Sequence, residues 1–340
     1  MTLTARLDKF QQRHPLAGFP LAVLYKYVDD FGGYLAALIT YYAFVSLFPL
    51  LLLLATILGF VLAGDPHLQQ QILGSALHQF PVVGSQLGDP KRLGGGVAGL
   101  VFGILGSLYG GLGVAQATQY AMNTAWAVPR NDRPNPFRAR GRSVQLLGTA
   151  GLGVIATTVL STLVASGAGS LGVALRIIVL GLSVLINAVA FVFGFRIATA
   201  RDLSVRDVAP GALIAAVAWQ LLQSFGVIYV DHVVRGASAT NGVFALVLGL
   251  LAFLYLTAVV VVLCVEINVV RVQRLHPRAL LTPFTDDVDL TRGDRAAYIG
   301  QATAQRSKGF QTIDVSFDER ERRPDGSDST EDPSAGPSSG

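Results

Sequence analysis

The sequence predicts an all-α membrane protein, a bundle of six transmembrane helices. Only 14% of its 340 residues are charged, whereas a soluble domain carries about 25%. Six windows contain no Asp, Glu, Lys, Arg or His, and they cover residues 31–64, 93–129, 143–175, 177–195, 208–230 and 236–265. Because a spanning helix needs about 20 apolar residues, each window can hold one. This pattern excludes a soluble enzyme, a secreted disulfide scaffold and a soluble nucleic-acid-binding domain.

The spans are expected to be helices, because each window is far longer than the roughly 9–11 residues of a barrel strand. Within a transmembrane domain of residues 31–275, the predicted spans are about 34–60, 96–126, 143–165, 172–195, 208–230 and 241–265. Residues 1–30 form a segment before the first span. A short amphipathic helix is predicted over 68–80. From residue 283 to 340, where Ser, Gly, Pro and acidic residues dominate, we expect a disordered tail.

The cations predict how the chain is oriented. With six spans, the segments on one side of the membrane carry 22 Lys and Arg residues and those on the other side carry 4. Cationic segments next to spans stay in the cytoplasm, so the N-terminal segment and the tail are both predicted to be cytoplasmic. The arginines expected to contact anionic lipid head groups are Arg130, Arg133, Arg138, Arg196 and Arg201. The alternative is that these arginines act only as a topology signal.

Small and polar residues inside the spans are the candidate functional positions. Four glycines of the second span recur at spacings of three and four and form one face for close helix packing, namely Gly103, Gly106, Gly110 and Gly113. Pro49 predicts a kink in the first span, with the Tyr42 and Ser46 face turned towards the glycines. The residues expected to line a polar cavity are Tyr41, Tyr42, Ser46, Gln116, Tyr120, Asn123, Asn187, Gln220 and Gln223. Hydrogen bonding between helices is the alternative role for these residues.

No catalytic or metal-binding constellation can be assembled from the sequence. His67 and His78 lie eleven residues apart with Asp65 as the one nearby carboxylate, and Cys264 is the single cysteine. We therefore expect no enzymatic activity, no metal, no cofactor and no nucleic-acid partner, and membrane lipids as the partners. Since no span carries an acid or His near its centre, passive movement of a substrate is favoured over coupling to protons or Na⁺.

Three motifs follow one another along the chain. They are residues 36–50, AALITYYAFVSLFPL, the stretch from Asp207 to Leu213 with Pro210 and Gly211, and Val265-Glu-Ile-Asn268 with Glu266 and Asn268. In this order they resemble the first span, the Pro-Gly-Ala start of the fifth span and the close of the last span in the YihY/BrkB family of bacterial inner-membrane proteins. Cys264 stands where that family usually has a glycine.

The resemblance covers roughly residues 20–275 and implies six spans, cytoplasmic ends and a place in the inner membrane. Members are described as virulence factors and envelope-integrity proteins, with lipid export suggested. An older label as a ribonuclease does not fit, because the residues offer no metal site and no acid–base pair. The leading hypothesis is therefore passive transport or flipping of anionic, lipid-like amphiphiles. The alternative is an envelope scaffold that transports nothing.

Overall fold

The computed structural model describes residues 3–61, 96–167, 172–229, 239–285 and 288–317. Within these ranges the chain is α-helical and contains no strand. Six of the helices are long and apolar enough to cross a membrane. The predicted fold class, an all-α bundle with six spanning helices, is confirmed. The amphipathic helix predicted over 68–80 lies outside the described residues, as do both histidines of that loop.

The helices of the described residues are labelled in chain order. They are α1 (Leu3–Arg13), α2 (Pro15–Asp29), α3 (Gly32–Val61), α4 (Gly96–Ala125), α5 (Pro136–Gly167), α6 (Gly172–Ala198), α7 (Val205–Tyr229), α8 (Ala239–Gln273) and α9 (Arg292–Ala304). Helices α3 to α8 are the six spans. α5 begins before its predicted start at residue 143, and α8 continues past residue 265. Both extensions carry arginines, and two of these, Arg142 of α5 and Arg271 of α8, donate to backbone carbonyls of neighbouring segments.

The six spans form a closed ring. Each one packs against the next in sequence, and α8 closes the ring by packing against α3. Helix α2 packs against α8 at the end of the bundle where α2 leads into α3 and where α4, α6 and α8 end. We call this the basal end. Helix α4 also contacts α6 and α8, and the space that the six helices leave between them can hold a ligand.

The largest apolar core lies at the basal end. It contains Trp126, which directly follows α4, together with Phe195 in α6, Val208 and Ala212 in α7, and Val269 in α8, all of them buried. Close packing of large and small side chains leaves little freedom for the elements that carry them. The core therefore fixes the basal ends of four spans relative to one another.

The structure corrects the predicted disordered tail over residues 288–317. Helix α9 begins with a capping box, in which Thr291 Oγ1 accepts from the N–H of Asp294 (3.1 Å) and Asp294 Oδ2 accepts from the N–H of Thr291 (2.9 Å). Asp294 is fully buried. Composition misled the prediction, because an acidic residue that looks like part of a solvated tail is a buried anchor. Residues 318–340 lie outside the described part.

Candidate functional site

The glycine face of α4 is the surface against which α3 packs. At each glycine, an α3 residue lies where a Cβ atom would have to be, and the pairs are Gly103 with Leu53, Gly106 with Pro49, Gly110 with Ser46, and Gly113 with Tyr42. At Gly110 the obstacle is the backbone of Ser46 as well as its side chain. Pro49 lies inside α3. The structure thus brings the glycines together with the Tyr42 and Ser46 face.

The residues predicted to line one polar cavity lie in several different surroundings. Asn123 is buried, and its Oδ1 accepts a hydrogen bond from the N–H of Ala200 (2.7 Å), which links the basal ends of α4 and α6. The exposed ones are Tyr41, Gln116 and Tyr120, and the half-buried ones are Tyr42, Ser46, Asn187, Gln220 and Gln223. The structure therefore does not assemble these side chains into a single polar cavity.

A half-open cavity of about 430 Å³ lies between the spans, and all six of them contribute to its wall. The wall is mainly apolar, with Trp219 and Phe253 among its large side chains. Its polar side chains are Thr118, Thr149, Thr157, Thr257 and Asn187, and no charged residue is among the described residues that line it. Asn187 is the one predicted cavity residue in this wall.

The cavity is mainly apolar because the hydroxyl groups of Thr149, Thr157 and Thr257 bond to carbonyls of their own helices. Thr149 donates to the carbonyl of Gln145 (2.8 Å), and Thr257 donates to that of Phe253 (2.8 Å), each one turn earlier. A hydroxyl inside a span needs a partner, because hydrocarbon offers none. With these groups satisfied within their helices, mostly carbon atoms face the cavity. The predicted polar cavity is corrected to an apolar one.

A buried ion cluster that the sequence analysis missed lies at the basal end. Lys26 of α2 forms an ion pair with Asp30, and its Nζ lies 3.7 Å from Oε2 of Glu266 in α8. Nζ also donates to the carbonyl of Ala125 at the end of α4 (3.1 Å). Burial lowers the pKa of Lys26, but Glu266, Asp30 and Asp29 more than offset this effect, so that the pKa is raised. Lys26 therefore stays charged and joins α2, α4 and α8.

A second ion cluster extends the first one to α9. Arg278, which follows α8, is fully buried and pairs with Asp294 of α9. Its Nη2 also lies 2.9 Å from Oδ2 of Asp29 in α2. Gln301 of α9 donates to Oδ1 of Asp30 (3.1 Å) and thus connects the two clusters. The clusters fasten the N-terminal helices and α9 to the last span.

The motif residues at the start of α7 pack against those at the end of α8. Asn268 accepts a hydrogen bond from the N–H of Gly211 (2.8 Å) and donates one to the carbonyl of Val208 (3.1 Å). A Cβ atom at Gly211 would overlap the carbonyl oxygen of Cys264 and the amide of Asn268. Pro210 lies inside α7 and has no N–H to donate to the carbonyl of Arg206 one turn earlier. The guanidinium of Arg271 in α8 donates to that carbonyl (2.6 Å) and to the carbonyl of Asp207 (3.0 Å).

The arginines predicted to contact lipid head groups have different surroundings at the basal end. Arg130 and Arg133 line a pocket of about 640 Å³. Arg138 is exposed. Arg196 donates through Nε to a backbone carbonyl of the next loop (2.9 Å), and the guanidinium of Arg201 lies 5.7 Å from the ring centre of a tryptophan. Of these five arginines, Arg130 and Arg133 are the two that line this pocket.

The family model for Virulence factor BrkB matches residues 23–286, most of the chain. The chain belongs to this family. Comparison with curated proteins gave no match, and comparison with solved structures gave none either. The residues matched in this BrkB protein include the whole ring of spans and Arg278, whereas α9 lies beyond them.

Part of the BrkB ion clusters left a signal in the sequence. Lys26 and Asp30 are four residues apart just before the first uncharged window, and this spacing places two side chains on one helix face. Glu266 is the acid at the end of the last window. The acid Glu266 at the end of one span and the Lys26–Asp30 pair before another could have suggested that these residues contact each other. Arg278 and Asp294 left no such signal, because a turn without any periodic pattern separates them.

Proposed function

We propose that this BrkB-family protein moves lipid-like amphiphiles with a phosphate-bearing head group between the leaflets of the bacterial inner membrane. The movement is passive, without coupling to an ion gradient, and contributes to envelope integrity. Both termini lie in the cytoplasm in this proposal, as the distribution of cations predicts. The proposed activity requires no catalytic group, no cofactor and no nucleic acid.

The central cavity is the observation that carries the proposal. Its volume of about 430 Å³ falls within the range of about 300–1,000 Å³ that is typical of small-molecule sites. Its mainly apolar wall suits a hydrocarbon chain, and the amide of Asn187 gives a hydrogen-bonding group at one point. The scaffold hypothesis needs only a packed interior and does not account for a cavity that all six spans surround.

The absence of charged side chains among the described residues of the wall favours passive movement. A charge within the hydrocarbon is costly, and transporters that are driven by ions use such charges as coupling groups. A hydrocarbon chain that enters the cavity exchanges one apolar environment for another. No large barrier from the loss of hydration therefore opposes its entry.

A cavity-filling variant tests the proposal. Gly194 of α6 lines the cavity, and a Cβ atom there would meet no atom within 4 Å. Gly181 on the same helix is equally open but does not line the cavity. The experiment compares wild type, Gly194→Phe and the matched control Gly181→Phe in vesicles that contain fluorescent phospholipids. The rate at which labelled inner-leaflet lipid becomes accessible to a membrane-impermeant quencher outside the vesicles reports flipping.

The proposal expects wild type and Gly181→Phe to raise the flip rate well above that of protein-free vesicles, and Gly194→Phe to lose most of the increase. Equal rates with and without wild-type protein would overturn it in favour of the scaffold hypothesis. Full activity of Gly194→Phe would also contradict it, because transport would then bypass the cavity.

A further inference from the structure

The pocket at the basal end differs from the central cavity because charged residues line it. We propose that it binds a head group with both a phosphate and a primary ammonium, the phosphoethanolamine group. This inference rests on the proposed function, because that function supplies the membrane lipid whose head group would bind here. It adds the class of head group that the protein selects.

The pocket of about 640 Å³ is lined by charged residues of both signs. Arg130 and Arg133 come from the loop after α4, and Asp29 and Asp30 come from the end of α2. Within the described residues neither arginine takes part in an ion pair. A ligand that is only anionic would meet the two acids as well as the two arginines. A zwitterion offers an opposite charge to each kind.

Arg133 needs an anion because it is half-buried without one. Its Nε donates to the carbonyl of Val128 (3.2 Å), and its guanidinium lies 5.4 Å from the ring centre of Tyr120. Burial lowers the pKa of Arg133 below its ordinary value, and the like charge of Arg130 adds to this. A phosphate would compensate both arginines, and the planar guanidinium of Arg133 can bind two phosphate oxygens at once.

The acidic side of the pocket has more carboxylates than cations. Asp29 and Asp30 line the pocket, and Arg278, which pairs with Asp29, also pairs with the buried Asp294, so that two carboxylates share one cation. Burial raises the pKa of Asp29, although Arg278 opposes the rise. Within the described residues Asp29 accepts a hydrogen bond only through Oδ2, from Arg278. An added cation would therefore stabilise this side.

A primary ammonium suits the acidic side better than a quaternary one. It is compact and has three N–H donors, so it can bond directly to Oδ1 of Asp29, whereas both carboxylate oxygens of the buried Asp30 already accept hydrogen bonds from Lys26 and Gln301. A choline group carries the same charge but has no N–H to donate. The carboxylates would lose their hydrogen bonds to water without gaining new ones, which is unfavourable. The pocket is therefore expected to distinguish the two lipids.

The pocket lies at the depth where a lipid head group would be. Phe31 and Tyr34 line it at the start of α3, and their side chains are 67% and 78% exposed. Exposed aromatic rings at the end of a span are typical of the membrane interface. Leu35 and Leu38 continue the lining one turn further along α3, in the direction that an acyl chain would take.

Helix α9 completes the pocket and holds its arginine loop in place. Gln301 and Gln305 are part of the lining. Arg306, just after α9, donates through Nε to Oδ1 of Asn131 (3.0 Å) and pairs with Asp132 (3.1 Å). The loop that carries the arginines is therefore fixed to the same segment that forms one wall, so that little ordering is needed when a ligand binds.

Binding of short-chain phospholipids to the purified full-length protein tests the inference. The probes are dihexanoyl lipids with phosphoethanolamine, phosphocholine or phosphoglycerol head groups, and the soluble competitor is O-phosphoethanolamine. The variants are Arg133→Gln and, as the matched control, Arg138→Gln, whose arginine is exposed and does not line the pocket. Calorimetric titration gives Kd, and flipping is measured on the same preparations.

The ethanolamine lipid is expected to bind about tenfold more tightly than either of the others, since a charge-assisted hydrogen bond contributes about this factor. Arg133→Gln is expected to weaken its binding by a similar factor, and Arg138→Gln to leave it unchanged. Displacement by soluble O-phosphoethanolamine would show that the head group alone suffices, and failure to displace would assign the site to the membrane lipid. Either result supports the site.

Equal Kd values for the three lipids, or unchanged binding by Arg133→Gln, would overturn the inference. The two proposals can fail separately. Flipping without head-group preference would remove the phosphoethanolamine site and leave the transport proposal. Selective binding that is lost in Arg133→Gln, found in a protein that flips no lipid, would support the phosphoethanolamine site and remove the transport proposal.

Discussion

At the scale of single residues, Gly211 shows how a family motif acts through backbone contact. Its N–H donates to Asn268, and the carbonyl oxygen of Cys264 occupies the position of a Cβ atom. The contact is to backbone, so a side chain there can be accommodated only by moving α7 away from α8. The motif glycine is therefore a packing requirement rather than a source of flexibility.

Replacing Gly211 by alanine is expected to destabilise the protein by about 1–3 kcal/mol, the usual cost of overpacking. Gly181→Ala is the control, because that glycine has open space around it. It should leave stability unchanged or raise it by up to about 1 kcal/mol, since alanine favours a helix. Thermal unfolding in detergent measures both. A Gly211→Ala protein as stable as wild type would contradict the packing described here.

Lys26 is the residue on which the first ion cluster depends. Its loss would leave Asp30 and Glu266 buried without their cation, which costs about 3–5 kcal/mol in comparable buried pairs. Lys26→Met is therefore expected to lower the unfolding temperature strongly. Lys9→Met, at an exposed position of α1, should change stability by no more than about 0.5 kcal/mol.

A double variant separates lost charge from lost packing around Lys26. Adding Glu266→Gln to Lys26→Met removes one of the unpaired acids and should restore part of the stability. Acidification should also restore part of the stability of Lys26→Met, because protonation removes the uncompensated charge from a buried carboxylate. If neither change helps, the lysine acts through packing alone and the electrostatic account is wrong.

At the scale of elements, the contact between α3 and α4 depends on small residues. No hydrophobic effect drives helices together within hydrocarbon, so close approach of their backbones provides the attraction. Gly110 lies against the backbone of Ser46, whereas the neighbouring Gly111 faces the side chain of Leu147 at an ordinary contact distance of 3.4 Å. Adjacent glycines on one helix thus have different roles.

This difference gives a matched pair of variants. Gly110→Ala should separate α3 from α4 and reduce stability by about 1–3 kcal/mol. Gly111→Ala adds the same methyl group to the same helix and should have little effect. Unfolding curves measured side by side decide the matter. Equal changes for the two variants would mean that the close contact between Gly110 and Ser46 does not determine the result, and equal gains would be the effect of helix propensity alone.

The elements also differ in how far the sequence predicts them. The glycine spacing on α4 is local, so one helix face could be predicted without a partner. The place of Asn123 was not predictable, because its hydrogen bond to Ala200 depends on where α6 ends. Helix α9 was missed since its anchor, the contact of Asp294 with Arg278, appears only after the chain has folded.

At the scale of the whole molecule, the six spans could be predicted because the bilayer sets their length directly. An uncharged apolar window of about 20 residues is typical of a spanning helix. The clusters at the basal end could not be predicted, because they join distant parts of the chain. Arg278 and Asp29 are 249 positions apart. The apolar lining of the cavity could not be predicted either, since it depends on how six helices pack together.

The orientation of the molecule is open to a direct test. The one native cysteine, Cys264, is buried, so engineered cysteines can be labelled against a low background. A cysteine in place of Ser85 should react with an impermeant thiol reagent in intact cells. One in place of Arg140, which is exposed on α5, should react only after permeabilisation. The opposite pattern would reverse the predicted topology.

Photo-crosslinking of a lipid is the most direct test of the claim that the central cavity holds the apolar chain of an amphiphile. A phospholipid with a diazirine in the middle of its acyl chain is incorporated with the protein, irradiated, and located by mass spectrometry. We predict adducts on cavity residues such as Asn187, Trp219 and Thr257, and their loss in Gly194→Phe but not in Gly181→Phe. Adducts confined to outward-facing residues such as Leu185 and Leu221, unchanged in Gly194→Phe, would contradict the claim.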